Sequence, residues 1–362
     1  MKIANIDIFN DFYSGKRVLI TGHTGFKGSW LAIWLHELGA EVIGVALEPQ
    51  IDKDNYVLSG IGKKIKADLR ADIRDGEMMK RIFKEYQPQI VFHLAAQPLV
   101  RLSYDEPVDT WQTNVMGTIN VMEAFRQCPS AKVAVMITTD KCYENREQNH
   151  AYTEDEPMGG YDPYSSSKGA CEIAISSWRR SFMNPEQYEK HGKAIASVRA
   201  GNVIGGGDWA KDRIIPDCIR AIEAGKPIAI RNRHAVRPWQ HVLEPLSGYM
   251  LLAQKMWENP TEYCEGWNFG PKMDAVVSVW DVATMLTKEY GKGELLDQTE
   301  PNAVHEANLL MLDITKARTR LGWLPRLTTA EAITFTADWY NKYRADDVYT
   351  LCVDEIKKFC TK

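Results

Sequence analysis

Residues 18–28 read Val18-Leu19-Ile20-Thr21-Gly22-His23-Thr24-Gly25-Phe26-Lys27-Gly28. The apolar run 18–21 stops at a glycine and reads as a short buried strand. From 26 to 38, Trp30, Leu31, Trp34, Leu35 and Leu38 recur at helical spacing, and Gly39 closes the segment. Between strand and helix the glycines fall as G-x-x-G-x-x-G, not as G-x-G-x-x-G. A turn without Cβ atoms lets the backbone approach a pyrophosphate. The helix N-terminus behind it offers unpaired N–H groups and partial positive charge. The stretch therefore predicts a dinucleotide-binding turn made by Gly22, His23, Thr24, Gly25, Phe26, Lys27 and Gly28.

Outward from this turn, strand-like and helix-like segments alternate. Strands are expected at 41–47, 89–94, 133–138 and 194–199, and helices at 75–85, 108–126 and 163–180. Such alternation implies βαβ crossovers and a parallel sheet covered on both faces. The fold class is α/β, a Rossmann-type doubly wound parallel sheet with a smaller mixed α/β C-terminal substrate domain. After residue 200, Gly205, Gly206, Gly207, Pro216, Pro227, Pro238 and Pro245 punctuate the chain, and tryptophans become frequent. Residues 1–200 are read as the cofactor domain, to which later segments return, and 201–362 as mainly the substrate domain, with a ligand cleft between them.

The 362 residues suit roughly two domains. Lys plus Arg number 44 and Asp plus Glu 48, a net charge of -4, which argues against a general grip on nucleic acid. No run of apolar residues is long enough to span a membrane, and the N-terminus has acidic residues inside its apolar stretch, unlike a signal peptide. The seven cysteines are scattered without a C-x-x-C pair and are read as reduced thiols of a cytoplasmic protein. His93 has no ligand-spaced partner, so it is read as structural and no metal is expected.

Glu48 lies 20 residues after Gly28, where a carboxylate accepts from the adenosine ribose and repels a 2′-phosphate. This favours NAD over NADP. Asp72 is read either as an acceptor for the adenine amino group or as a helix N-cap. Tyr164-Ser165-Ser166-Ser167-Lys168 opens a helix, and the i, i+4 spacing puts the phenol and the ammonium on one face. A phenol is a poor base at neutral pH, and a nearby cation favours its phenolate. Such a tyrosine takes a hydroxyl proton as hydride leaves the same carbon.

These segments carry a resemblance. The turn 21–28, Val91-Phe92-His93-Leu94-Ala95-Ala96, Asn114-Val115-Met116-Gly117-Thr118 and Tyr164 to Lys168 stand in the order of the extended short-chain dehydrogenase/reductase superfamily. Thr138-Thr139-Asp140-Lys141-Cys142-Tyr143, together with Arg237-Pro238-Trp239-Gln240-His241-Val242-Leu243-Glu244, resembles the nucleotide-sugar 4,6-dehydratases, most of all their CDP-glucose branch. The resemblance implies a recycled NAD, contacted also at Ile73, Leu94, Ala95, Ala96, Asn114 and Thr138. It implies Tyr164, supported by Lys168 and Thr139, as the base toward the sugar O4, and Asp140 as the acid toward the C6 hydroxyl. Many members of the group carry Asp-Glu after the threonine, with the glutamate as C5 base. Here the pair is Asp140-Lys141, so Lys141 is read as that base if neutral, as a group that holds a water or stabilises the enolate, or as half of a salt bridge.

On the substrate side, Asn202 and Arg237 match family positions that meet the diphosphate, and an arginine fork suits phosphate oxygens. Arg213, Gln97 and Arg101 are further pocket residues. The helices 108–126 and 163–180 resemble those that pair in the superfamily's dimers, which implies a homodimer or a tetramer built from dimers. The expected activity is conversion of CDP-glucose to its 4-keto-6-deoxy product in deoxysugar or O-antigen synthesis. Two other readings stand beside it. One is a dehydratase or epimerase for another nucleotide sugar, although an epimerase has no need of an acid at C6. The other is a non-catalytic NAD sensor, which has no need of Tyr164 and Lys168.

Overall fold

A computed structural model describes residues 6–272, 277–298 and 310–362. Seven parallel strands form the central sheet: β1 (Arg17–Thr21), β2 (Glu41–Ala46), β3 (Ala67–Arg70), β4 (Ile90–His93), β5 (Val133–Ile137), β6 (Ala194–Ala200) and β7 (Gly266–Phe269). Their order is β7-β6-β5-β4-β1-β2-β3. In register, Val18 faces Val42 on one side and Ile90 on the other. The chain leaves β1 toward β2 and later returns on β1's other side as β4. A ligand is expected in the crevice at this switch point, beyond the carboxyl ends of the strands.

Successive strand residues point to opposite faces, so Val18 and Ile20 enter one core and Leu19 the other. The second core is closed by α2 (Gly76–Tyr86), α4 (Gly117–Gln127) and α5 (Pro163–Ser181), through Met79, Phe83, Val121, Phe125 and Ile175. The first is closed by α1 (Phe26–Glu37), α6 (Leu243–Glu258) and α8 (Val348–Cys360). It is continuous from Phe9 to Phe359.

Two elements differ from the sequence reading. The apolar side expected of α1 is not one face only: Ala32 and Ile33 are as buried as Trp30 and Trp34, because α8 packs over the outer side. Trp30 Nε1 donates to the Gly206 carbonyl at 2.9 Å. The long helix expected at 108–126 runs from α3 (Pro107–Trp111) through a π-helical turn at Gln112–Met116 into α4. The wider turn draws Asn114 inward, where its Nδ2 donates to the Gln97 carbonyl (3.1 Å) and to Ser167 Oγ (2.9 Å). No helix among the described residues is long and apolar enough to cross a membrane.

Candidate active site

Gly22 has φ +78°, and a Cβ there would lie 2.8 Å from the Ala95 nitrogen. A Cβ on Gly28 would stand 2.1 Å from the Gly22 carbonyl oxygen. The turn is thus folded on itself and against the loop after β4, and only glycine fits at these two points. Gly25 is exposed and is the N-cap of α1, with no side-chain cap. That leaves the N-terminus of a 12-residue helix open beside a bare backbone, a cradle that fits a dinucleotide pyrophosphate. Thr24 Oγ1 donates to the Leu47 carbonyl (3.1 Å) and Phe26 packs beside Gly205. His23 turns away from the cradle: it is buried over Gly44, with Nε2 2.6 Å from Asp68 Oδ1. Its role is to brace the turn from below.

Glu48 is exposed at the end of β2, where its Oε2 accepts from Arg70 Nε at 2.9 Å. Arg70 also binds Asp68 and Tyr56, so one cation and two carboxylates share this rim. Arg70 went unnoticed in the sequence because no spacing rule links β3 to Glu48. Asp72 is held by Arg74 at 2.6 and 2.8 Å. Its N-cap reading is corrected: Asp75 caps α2, accepting from the Met78 N–H at 2.9 Å. Ile73 packs on Gly117. Leu94, Ala95 and Ala96 form the loop after β4. His93 bonds Thr21 Oγ1 (2.7 Å) and Thr118 Oγ1 (2.9 Å), and burial lowers its pKa to about 3, so it is a neutral structural link.

The end of β5 faces the start of α5. Asp162 caps α5 by accepting from the Ser165 N–H (2.9 Å), and the Tyr164 N–H donates to Ser103 Oγ (3.1 Å). These bonds fix Tyr164, which is buried and hydrogen-bonded to Thr139. Burial raises the phenol's pKa, and the Thr139 hydroxyl and the Arg213 guanidinium pull it back, while Asp140 opposes them. Lys168 is buried with Nζ 3.4 Å from the Ile137 carbonyl, and burial lowers its pKa. Arg213 is thus one cation that pulls on the phenol. Thr139 Oγ1 donates to Asp140 Oδ1 (3.0 Å), and Lys141 Nζ lies 3.6 Å from the same carboxylate. Asp140 is 1% exposed, and its Oδ2 has no hydrogen-bond partner.

Lys27 reaches into this cluster from the glycine turn. Burial first, then Arg213, lowers its pKa to about 8; Lys168 and Lys141 add to the shift and Asp140 opposes it. Lys27 thus lies within electrostatic reach of Arg213, Lys168 and Lys141 as well as Asp140, a positive setting suited to anionic oxygens. Arg213 pairs with Asp208 at 2.8 Å. Arg237 is largely buried and donates to the Val236 carbonyl (3.0 Å). Asn202 has a buried Oδ1 without a partner. With its amide turned over, the same buried point would carry an N–H donor. Arg101 lies 4.0 Å from Asp212.

The Gln97 amide faces inward. Its Nε2 donates to Thr110 Oγ1 (2.8 Å) and its Oε1 accepts from the Leu99 N–H (2.5 Å). The Gln97 N–H donates to Asn114 Oδ1 (2.9 Å). Gln97 and Asn114 therefore build the wall and direct their polar atoms into the protein. Thr138 likewise faces Glu172 and Val198 rather than the cradle.

Comparison with known proteins agrees with this fold. Residues 19–336 match the family model described as GDP-mannose 4,6 dehydratase. The CDP-glucose 4,6-dehydratase of Salmonella typhimurium is 46% identical over 97% of this chain and 98% of its own. The dTDP-glucose 4,6-dehydratase of Neisseria gonorrhoeae is 27% identical over 91% of this chain and 97% of its own. Among solved structures, Thermus thermophilus UDP-glucose 4-epimerase in complex with NAD superposes with a TM-score of 0.77 at 24% identity, covering 90% of this chain and 99% of that one. Bacillus anthracis dTDP-glucose 4,6-dehydratase in complex with NAD gives 0.75 at 20%, covering 91% and 97%. The fold, the match across most of the length and the close relative lead to one assignment: this chain belongs to the GDP-mannose 4,6 dehydratase family.

Proposed function

We propose that this chain is an NAD-dependent CDP-glucose 4,6-dehydratase. The observation that carries the reading is the apposition of Thr139, Asp140 and Lys141 to Tyr164 and Lys168 in one buried, cation-lined pocket. The 46% identity to the Salmonella enzyme supports CDP-glucose as the substrate. The cradle of Gly22, Gly25 and Gly28 would hold NAD, which would supply hydride acceptance at C4 and hydride return at C6. Tyr164, hydrogen-bonded to Thr139, takes the O4 proton as C4 becomes a ketone. The ketone acidifies the C5 proton, which Lys141 accepts as the neutral amine, the proton it shares with Asp140 then lying on the carboxyl. Asp140 protonates the C6 hydroxyl, which leaves as water. A proton then returns to C5, so the product is the 4-keto-6-deoxy sugar plus water, with no net redox change. Arg237, Arg213 and Asn202 hold the diphosphate. Glu48 and Asp72 bind the adenosine end, and the Glu48 carboxylate favours NAD.

The reading is tested by incubating the protein with CDP-, dTDP-, UDP- and GDP-sugars and following the ultraviolet absorbance that a 4-keto sugar develops in base. Product from CDP-glucose is expected, with solvent deuterium at C5. Product from dTDP-glucose alone would overturn the substrate assignment. Tyr164→Phe is expected to lower kcat by about a thousandfold while cofactor binding stays near normal. Turnover at the parent rate in that variant would sink the mechanism.

We further propose that the chain self-associates, as a dimer or a tetramer built from dimers, through α3, the π turn and α5. Val108, Trp111 and Met116 are exposed on the first two, and Ile173 on α5. The proposed location remains cytoplasmic, and the proposed division of labour places the cofactor mainly on residues 1–200.

A further inference from the structure

The loop bearing Thr139, Asp140 and Lys141 is held at both ends by one buried network. At its start, Thr138 Oγ1 donates to Glu172 Oε1 at 2.5 Å. At its end, the Tyr143 hydroxyl accepts from Arg199 Nη1 (2.6 Å) and donates to Asn268 Oδ1 (2.8 Å). Glu172 Oε2 joins the two ends: it accepts from Arg199 Nη2 (2.8 Å) and from Ser197 Oγ (2.7 Å). Arg199 also donates to the Glu154 carbonyl at 3.0 Å. Glu172 and Arg199 are 4% and 5% exposed. Glu172 sits four residues after Lys168, so it lies on the face of α5 that turns Lys168 inward.

Burying an ion pair has a desolvation cost that two packed apolar side chains would avoid. An apolar pair would join helix to sheet equally well. What charges and forked hydrogen bonds add is direction, because they fix where Thr138 and Tyr143 stand relative to α5. Nothing in the chemistry assigned above uses Glu172, Arg199 or Tyr143.

We propose that Glu172, Arg199 and Tyr143 are positioning residues that keep the loop 139–141 in register with Tyr164 and Lys168. The inference rests on the dehydratase reading. There the O4 proton acceptor stands on the helix, while both elimination groups stand on the loop. Slackening the network therefore slows loss of water more than oxidation at C4.

Glu172→Ala would leave Arg199 buried and unpaired and invite unfolding. Tyr143→Phe is the sharper test. It keeps the ring stacked on Tyr152 (centroids 5.2 Å apart) and removes one hydroxyl. Turnover is expected to fall about tenfold at unchanged KM. Reduced cofactor should accumulate during turnover, seen by its near-ultraviolet absorbance. In the substrate-free protein, backbone amides of 139–143 should exchange with deuterium faster, while those of α5 do not change. Parent-like turnover, a loss without reduced cofactor, or unchanged exchange in the loop would each overturn the proposal. The unsubstituted protein is run beside it. If it forms no 4-keto product from CDP-glucose, the function reading fails, and the exchange measurement still judges the network.

Discussion

Lys27 shows how far a single residue's chemistry departs from its place in a motif. The sequence assigns it to a phosphate turn, and the fold brings its ammonium among Lys168, Lys141 and Arg213. A pKa of about 8 means that part of the population is neutral in mildly alkaline buffer. A bound diphosphate brings negative charge and restores the ammonium. Binding of NAD or CDP-glucose at about pH 9 should therefore take up a proton, and binding at about pH 6 should not. Calorimetry in buffers of different ionisation enthalpy reads the uptake directly. Lys27→Met should abolish it; equal uptake in the variant would mean that another group is responsible. The shared helix face of Tyr164 and Lys168 follows from their i, i+4 spacing, whereas Asp140 entered only through the resemblance. The inward turn of Gln97 and the pairing of Glu48 with Arg70 were not legible, since each depends on a partner distant in sequence.

At the scale of elements, the strand–turn–helix at 17–37 follows from local rules: an apolar run, a turn that tolerates only glycine at two points, and helical spacing. The π turn at 112–116 does not, because it is paid for by Asn114's bonds to two other elements. The junction of α6 with the segment before α7 (Thr329–Lys342) is likewise set by one remote contact. Glu244 Oε1 accepts from the N–H groups of Arg326 (2.8 Å) and Leu327 (2.6 Å), while its Oε2 has no partner. Burial raises its pKa from 4.5 to about 7, against those bonds and the Arg326 charge. Between these two values the folded state holds a proton that the unfolded state has released. Stability conferred by the protonated carboxyl is full below about pH 4.5 and is lost as pH rises through about 7. The loss should approach about 3 kcal/mol. Urea unfolding at pH values spanning the window should show this decline, and Glu244→Gln should flatten it. An equal slope in the variant would assign the decline elsewhere.

At the scale of the molecule, the sheet separates the two cores, and α5, which carries Tyr164, lies between inside and outside. Its inner side carries Lys168 and Glu172, and its outer side carries Ile173, 63% exposed. Trp111 and Met116 are exposed on the helical run that packs beside it. Large apolar side chains left on two adjoining helices fit the proposed self-association, in which covering each would contribute about 1.5–3 kcal/mol. A Trp111→Glu, Ile173→Glu double variant removes two such contributions and places like charges across the contact. Self-association should weaken by at least about a hundredfold. Sedimentation should then show the mass of one chain, 41.1 kDa, where the parent shows at least twice that. Because Glu172 and Arg199 anchor α5 from within, the separated chain should retain turnover while unfolding at lower temperature. A parent that sediments as a single chain would remove the association. A dissociated variant without turnover would instead mean that the partner copy, and not the buried network, holds α5 in place.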